Sequence, residues 1–138
     1  MDAHLTVASM RDARSYDGAP VPDDVARRIL DSGRLAGSAR NRQPTRFIVV
    51  GGEAVAAVAR TVYRADNVLT AGLVLVICVS PGGNLVDFDA GRAAQSMMLS
   101  AWADGVGARS RRRSQNPSRT GRASATSRTS PPRIAGTM

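Results

Sequence analysis

The 138-residue chain has a formal net charge of +8, and its length allows one domain at most. One cysteine, Cys78, and one histidine, His4, exclude a disulfide framework, a cysteine-based zinc site and a histidine-rich cluster, so no metal site is expected. Residues 1–108 contain 11 arginines and all 11 acidic residues, whereas residues 109–138 contain the other 8 arginines and no acid. The excess charge therefore lies in the tail, and the body is electrically balanced.

The first third of the chain predicts two helices. Residues 2–10 are mildly apolar and are expected to form a short helix. A longer helix is predicted over about 22–36, because Pro22 fits a first-turn position, where its missing N–H costs nothing. Asp23 and Asp24 follow the proline and suit the positive end of the helix dipole.

Strands and helices alternate in the next part of the chain. Residues 47–50 predict a strand and residues 53–64 a helix. The run 73–79 is continuously apolar and rich in β-branched residues, which is typical of a central strand buried on both faces. A strong helix is predicted over 87–104, and Gly105 provides its stop. Only two clear strands are visible, so we expect a sheet that is incomplete or completed by a partner.

The composition changes abruptly after Ala108. Arg, Ser, Thr and Pro make up 21 of the 30 residues of 109–138, whose large apolar residues are Ile134 and Met138. Such a segment buries too little surface to offset its chain entropy, so we expect it to be disordered. Because an alternate reading frame of GC-rich DNA tends to encode these residue types, our hypothesis is that the C-terminus is frameshifted or mis-annotated.

Three motifs within 1–108 follow one another in an informative order. Arg-x-x-Arg-x-Tyr at 11–16 precedes the long helix, and Ala-Gly-Ser-x-x-Asn-x-Gln-Pro at 36–44 follows it. A strand comes next, and then a helical segment over 89–99 that leads to Gly-Val-Gly at 105–107. This order resembles the FMN-dependent nitroreductase family. The resemblance implies an α+β fold with a mixed sheet flanked by helices, truncated at its C-terminus and followed by the disordered basic tail.

Five residues of these motifs match the family's cofactor-binding pattern. The resemblance places Arg11 and Arg14 near the FMN phosphate, whose oxygens suit the planar fork of a guanidinium. It places Ser38 and Asn41 near the ribityl chain and the flavin ring, and Gln43 supplies a second amide. A neutral amide both donates and accepts hydrogen bonds, as the edge of the flavin ring requires.

An activity and an assembly are also implied by the resemblance. The family passes electrons from NAD(P)H through FMN to a nitroaromatic, a quinone or a similar small-molecule acceptor, and its active sites lie at the interface of a homodimer. The flavin carries the redox chemistry, so no side chain is expected to act as a nucleophile or general base. This chain has Asp12 where the family often has a small hydroxyl residue. Since an acid repels a phosphate, we expect either that the Asp12 side chain points away or that phosphate binding is weakened.

Two alternatives stand beside the oxidoreductase. The unopposed arginines of the tail, Arg109, Arg111, Arg112 and Arg113 among them, would bind nucleic acid through its phosphates. In the second alternative, the chain is a non-functional fragment. A cytoplasmic protein is expected in each case, because no apolar leader opens the chain and the longest apolar run, 69–79, is about half the length that spans a bilayer.

Overall fold

A computed structural model describes residues 2–111 and 133–137 of the chain. Helices, a short 3-10 turn and strands follow one another along these residues. In chain order they are α1 (Ala3–Ser9), α2 (Asp23–Arg34), the 3-10 turn Ala39–Asn41, β1 (Thr45–Val50), α3 (Glu53–Ala59), α4 (Ala65–Leu69), β2 (Val74–Val79), α5 (Asn84–Ala103) and β3 (Arg133–Thr137). None of the helices in this part of the chain is long and apolar enough to cross a membrane.

Both amino-terminal helices begin where their sequence signals lie. The Asp2 carboxylate caps α1 by accepting hydrogen bonds from the backbone N–H groups of His4 at 2.9 Å and Leu5 at 3.2 Å. α2 begins directly after Pro22, with two aspartates in its first turn. Because negative charge interacts favourably with the amino end of a helix, these residues fix the start of α2 as predicted.

β2 is the central strand of an antiparallel sheet with the order β1-β2-β3. The register pairs Thr45 of β1 with Val79 of β2, and Val50 with Val74. β2 is buried along almost its whole length, which confirms the central, buried strand predicted from 73–79. The mixed sheet implied by the family resemblance is corrected here, because the strands among the described residues all pair antiparallel.

The third strand differs from the prediction for the tail. We predicted disorder across 109–138, but β3 lies within that range and pairs antiparallel with β2. A free edge of β2 would present unpaired N–H and C=O groups, and such an edge accepts a further strand through its backbone, largely independent of side-chain composition. The prediction is therefore wrong for 133–137 and for 109–111, where Arg109 and Arg111 have defined surroundings, whereas residues 112–132 and 138 lie outside the described part of the chain.

α3 ends earlier than the helix predicted over 53–64. It ends at Ala59, and the short helix α4 follows after a turn. The turn lets Val62 leave the helical path and join a small core with Ala59, Val68 and Val74. Two short helices therefore bury apolar residues that one straight helix would leave pointing away from this core.

α5 packs against both α2 and the sheet, and it begins a few residues before the predicted 87–104 helix. Its buried face contributes Met97, which is fully buried, to the main core. Gly33 of α2 permits the close approach of the two helices, since a Cβ there would lie 2.5 Å from Met97 Sδ. The Arg28 guanidinium of α2 also bonds to Asp104, directly after α5, at 3.1 Å. α5 therefore has a fixed position from which functional residues can be placed.

Candidate functional site

The amide loop, which we define as residues 38–43, has an unusual backbone. Arg40, Asn41 and Gln43 have φ angles of 53°, 54° and 47°, in the left-handed region that favours glycine. Each such residue costs on the order of 1 kcal/mol, so the surrounding structure must hold it. Strained backbone of this kind concentrates at binding and active sites, which makes the loop the first candidate for a functional site.

A buried acid holds the amide loop in place. Asp89 of α5 is 4% exposed, and its Oδ2 accepts a hydrogen bond from the Ala39 N–H at 2.8 Å. Within the loop, Ser38 Oγ accepts a hydrogen bond from the Gln43 N–H at 2.8 Å. The sequence does not predict this positioning role of Asp89. Its one signal is an acid directly before Ala90, at the start of the buried face of α5.

The amide side chains of the loop lie at the surface beside a cavity. Gln43 Nε2 donates to Asn41 Oδ1 at 3.3 Å, and both residues are exposed. The cavity has a volume of about 260 Å³, and its lining includes Ser38, Gln43, Arg34 and Arg46. Hydroxyl, amide and guanidinium groups are therefore offered to a ligand at one place.

The arginine segment, which we define as residues 11–14, lies elsewhere on the fold. Arg11 Nη1 donates to the backbone carbonyls of Ala8 at 3.1 Å and Met10 at 2.8 Å. Arg14 is exposed and has no hydrogen bond or ion pair to any residue in 2–111. One guanidinium is thus turned back onto its own segment, and the other faces solvent.

Contacts with the residues that follow α5 hold the arginine segment. The Ala13 N–H donates to the Ala108 carbonyl at 3.0 Å. Asp12 Oδ2 lies 3.9 Å from Arg109 Nε, and the Asp12 side chain is 53% exposed. Asp12, which departs from the family pattern, therefore faces Arg109, the first arginine of the tail. Arg109 offsets part of the Asp12 charge, but an exposed ion pair contributes little to stability.

The two sets of predicted residues lie near opposite ends of α5. At the carboxyl end, Trp102 Nε1 donates to Ser9 Oγ at 2.9 Å and fixes α1, which leads into the arginine segment. Asp89, near the amino end, holds the amide loop. At 1.5 Å per residue, α5 spans roughly 20 Å between these two residues. Within one chain, Ser38, Asn41 and Gln43 therefore lie together. Arg11 and Arg14 lie apart from them.

Comparison with known families identifies one match. The nitroreductase family model matches residues 7–75, half of the chain. This range contains both the arginine segment and the amide loop. No curated protein matches the sequence.

Several solved structures share the fold. A protein of Desulfovibrio desulfuricans, described as a nitroreductase in complex with FMN, is 26% identical with a TM-score of 0.69, covering 75% of this chain and 64% of that one. A protein of Parabacteroides distasonis, described as an NADH dehydrogenase/NAD(P)H nitroreductase, is 24% identical with a TM-score of 0.75, covering 84% and 71%. A nitroreductase family protein of Clostridium novyi is 16% identical with a TM-score of 0.78, covering 99% and 82%.

These similarities confirm the nitroreductase-like α+β fold expected from the motifs. The chain nevertheless spans only 64% of the length of the Desulfovibrio protein. The family model covers the part of the chain in which the motifs lie. The motifs, the fold and the family model agree, and the chain belongs to the nitroreductase family.

Proposed function

We propose that this protein is an FMN-dependent oxidoreductase of the nitroreductase type and that it acts as a homodimer. The family match over 7–75 carries the proposal, because it includes both the arginine segment and the amide loop. The strained backbone of the loop, held by a buried acid, adds physical support. The Desulfovibrio protein, whose fold this chain shares, is in complex with FMN.

The donor set of this chain suits FMN chemically. The exposed Arg14 guanidinium can bind two phosphate oxygens at once, whereas Arg11 would exchange its backbone carbonyls for phosphate. Ser38, Asn41 and Gln43 can orient the ribityl chain and the ring through hydroxyl and amide groups. When bound, FMN supplies the redox chemistry between NAD(P)H and a nitroaromatic, quinone or similar acceptor. The side chains of the protein bind the flavin and orient it.

A second copy of the chain would complete this site. Apolar residues are more than half exposed at both ends of α5: Leu5 and Val7 on α1, beside the arginine segment, and Leu35, Leu85 and Phe88 near the amide loop. Burial of these side chains in an interface would remove them from water. In a twofold dimer, the α1 residues of each copy would lie against the residues near the amide loop of the other copy. Such a dimer would join the arginines of one copy to the amides of the other.

The nucleic-acid alternative stays a prediction. Within the described part of the tail, the side chains of Arg109 and Arg111 line a small space beside Tyr16. Both residues are partly buried there and form no exposed basic surface. No observation therefore favours nucleic acid over flavin, and the cytoplasmic location likewise remains an expectation.

Flavin binding by the full 138-residue chain tests the proposal. After removal of nucleic acid at high salt, the protein should bind FMN, quench flavin fluorescence and oxidise NAD(P)H in the presence of a quinone. Arg14→Gln should weaken FMN binding about tenfold or more, because a charge-assisted contact is lost. Arg60→Gln changes an exposed arginine at the end of α3 and should leave the affinity unchanged. A colourless chain that takes up no added FMN would contradict the proposal and favour the fragment alternative.

A further inference from the structure

We propose that a second cavity of this protein binds a small apolar molecule that carries a carboxylate. The apolar cavity lies between the 13–22 segment, the start of β2 and the carboxyl end of α5. The carboxylate would bind in the arginine pocket, which we define as the small space lined in part by Tyr16, Asn67, Arg109 and Arg111. None of these four residues belongs to the predicted FMN set, so the site goes beyond the proposed function.

The apolar cavity has the size and lining of a site for a small organic molecule. Its volume is about 570 Å³, which lies within the range of roughly 300–1,000 Å³ for ligand pockets. Most of the residues around it present aliphatic groups, among them Ile29, Leu73, Leu75, Ala101 and Val106. An apolar ligand would therefore gain free energy by leaving water for this cavity.

A close backbone contact builds one wall of the apolar cavity. Gly72, before β2, lies so near the Ala19 carbonyl that any Cβ at this position would clash with it. Gly18 has a φ of 78°, which allows the turn that brings the 13–22 segment onto Gly72. The wall is therefore formed by tight packing of backbone on backbone.

The arginine pocket adjoins the apolar cavity. Tyr16 and Ala71 line both spaces. The pocket has a volume of about 20 Å³, which is on the scale of one water molecule. A space of this size accommodates a carboxylate oxygen. One ligand can therefore place its apolar body in the cavity and its charged group in the pocket.

An unsatisfied donor in the pocket points to an anion. Arg111 Nε is buried and has no hydrogen-bond partner among the residues that the structure describes. A buried donor without an acceptor costs about 1–3 kcal/mol, and more when it is charged. Arg109, the other guanidinium of the pocket, lies 3.9 Å from the exposed Asp12 and is only weakly paired. A carboxylate in the pocket would lie beside both guanidiniums and offset their charge.

The neutral groups of the pocket also suit a carboxylate. Burial raises the pKa of the Tyr16 phenol, so the hydroxyl stays protonated at neutral pH and can donate a hydrogen bond. Asn67 offers an amide that donates as well. Asp17 lines the apolar cavity but not the arginine pocket and repels an anion, so the ligand would orient with its carboxylate at Arg109 and Arg111.

A pair of matched probes tests the proposal. Calorimetric titration of the full, FMN-saturated chain with 2-naphthoate should show binding, and the neutral 2-naphthamide should bind about tenfold more weakly. Arg111→Gln should weaken 2-naphthoate binding about tenfold and leave 2-naphthamide unchanged. Arg128→Gln makes the same change of charge in the tail outside the described residues, and it should leave both affinities unchanged.

Two outcomes would overturn the proposal. One is equal affinity for the acid and the amide; the other is an Arg111→Gln protein that binds 2-naphthoate as well as the unsubstituted chain. If Arg111→Gln does not fold, Tyr16→Phe provides the second variant and should reduce the preference for the acid. The FMN titration is measured separately on the same protein, so a failure of this site is distinguishable from a failure of the flavin proposal.

Discussion

The two ends of α5 hold the predicted flavin residues in different ways. At the amino end, buried Asp89 and the Ser38 hydroxyl fix a strained loop. At the carboxyl end, the Trp102–Ser9 hydrogen bond and a backbone contact hold the arginine segment, whose Arg11 and Arg14 side chains are exposed. In the proposed site, the flavin ring would meet a preorganised loop, and the FMN phosphate would meet long cationic side chains that can adjust to it.

The largest effect is expected at the preorganised end. Asp89→Ala removes the buried acceptor of the Ala39 N–H and leaves that donor unsatisfied. The free energy of unfolding in urea should fall by about 2–3 kcal/mol, and FMN affinity should fall with it, because the strained loop loses its support. Asp89→Asn keeps an acceptor oxygen, so its free energy of unfolding should fall less. An unchanged free energy of unfolding in Asp89→Ala would contradict the difference between the two ends of α5.

A smaller effect is expected at the carboxyl end. Ser9→Ala removes the acceptor of the Trp102 indole N–H. The free energy of unfolding should fall by about 1 kcal/mol, and the fluorescence of Trp102, the single tryptophan of the chain, should change as the indole exchanges this partner for water. The amide loop is not in contact with this pair. A loss as large as that of Asp89→Ala would show that both ends are equally fixed.

The smallest effect measures the strain of the loop itself. Arg40 has a φ of 53°, so Arg40→Gly should relieve strain and raise the free energy of unfolding by about 0.5 kcal/mol. Arg42, two residues on, has a φ of −72°. Arg42→Gly should therefore lower the free energy of unfolding by a similar amount, about 0.5 kcal/mol, through chain entropy. Chemical denaturation measures the change in the free energy of unfolding for both glycine variants. A change of the same sign in both would argue against a strained loop.

Local signals predicted the local parts of the fold. The apolar run 73–79 predicted β2, and Pro22 predicted the start of α2. The end of α3 could not be predicted, because Val62 turns toward Val74, a residue distant along the chain. β3 could not be predicted either, since its pairing depends on the free edge of β2 rather than on its own composition.

The candidate site shows the same division between local and distant information. The motif at 36–44 predicted a loop that brings Ser38, Asn41 and Gln43 together. The distance between this loop and the arginine segment depends on the packing of α5, which no motif contains. Asp89 was missed because acids on helices are usually exposed, whereas this one is buried and accepts a hydrogen bond from a loop far away in sequence.

A mixture of two variant chains tests most directly whether the flavin site is shared between two copies. One chain carries Arg11→Gln with Arg14→Gln, and the other carries Asn41→Ala with Gln43→Ala. Each variant alone should bind no FMN. In a random mixture of dimers, half are heterodimers with one intact site each, so FMN binding should return at about one quarter of the sites. A mixture that binds no more FMN than the separate variants would contradict the shared site.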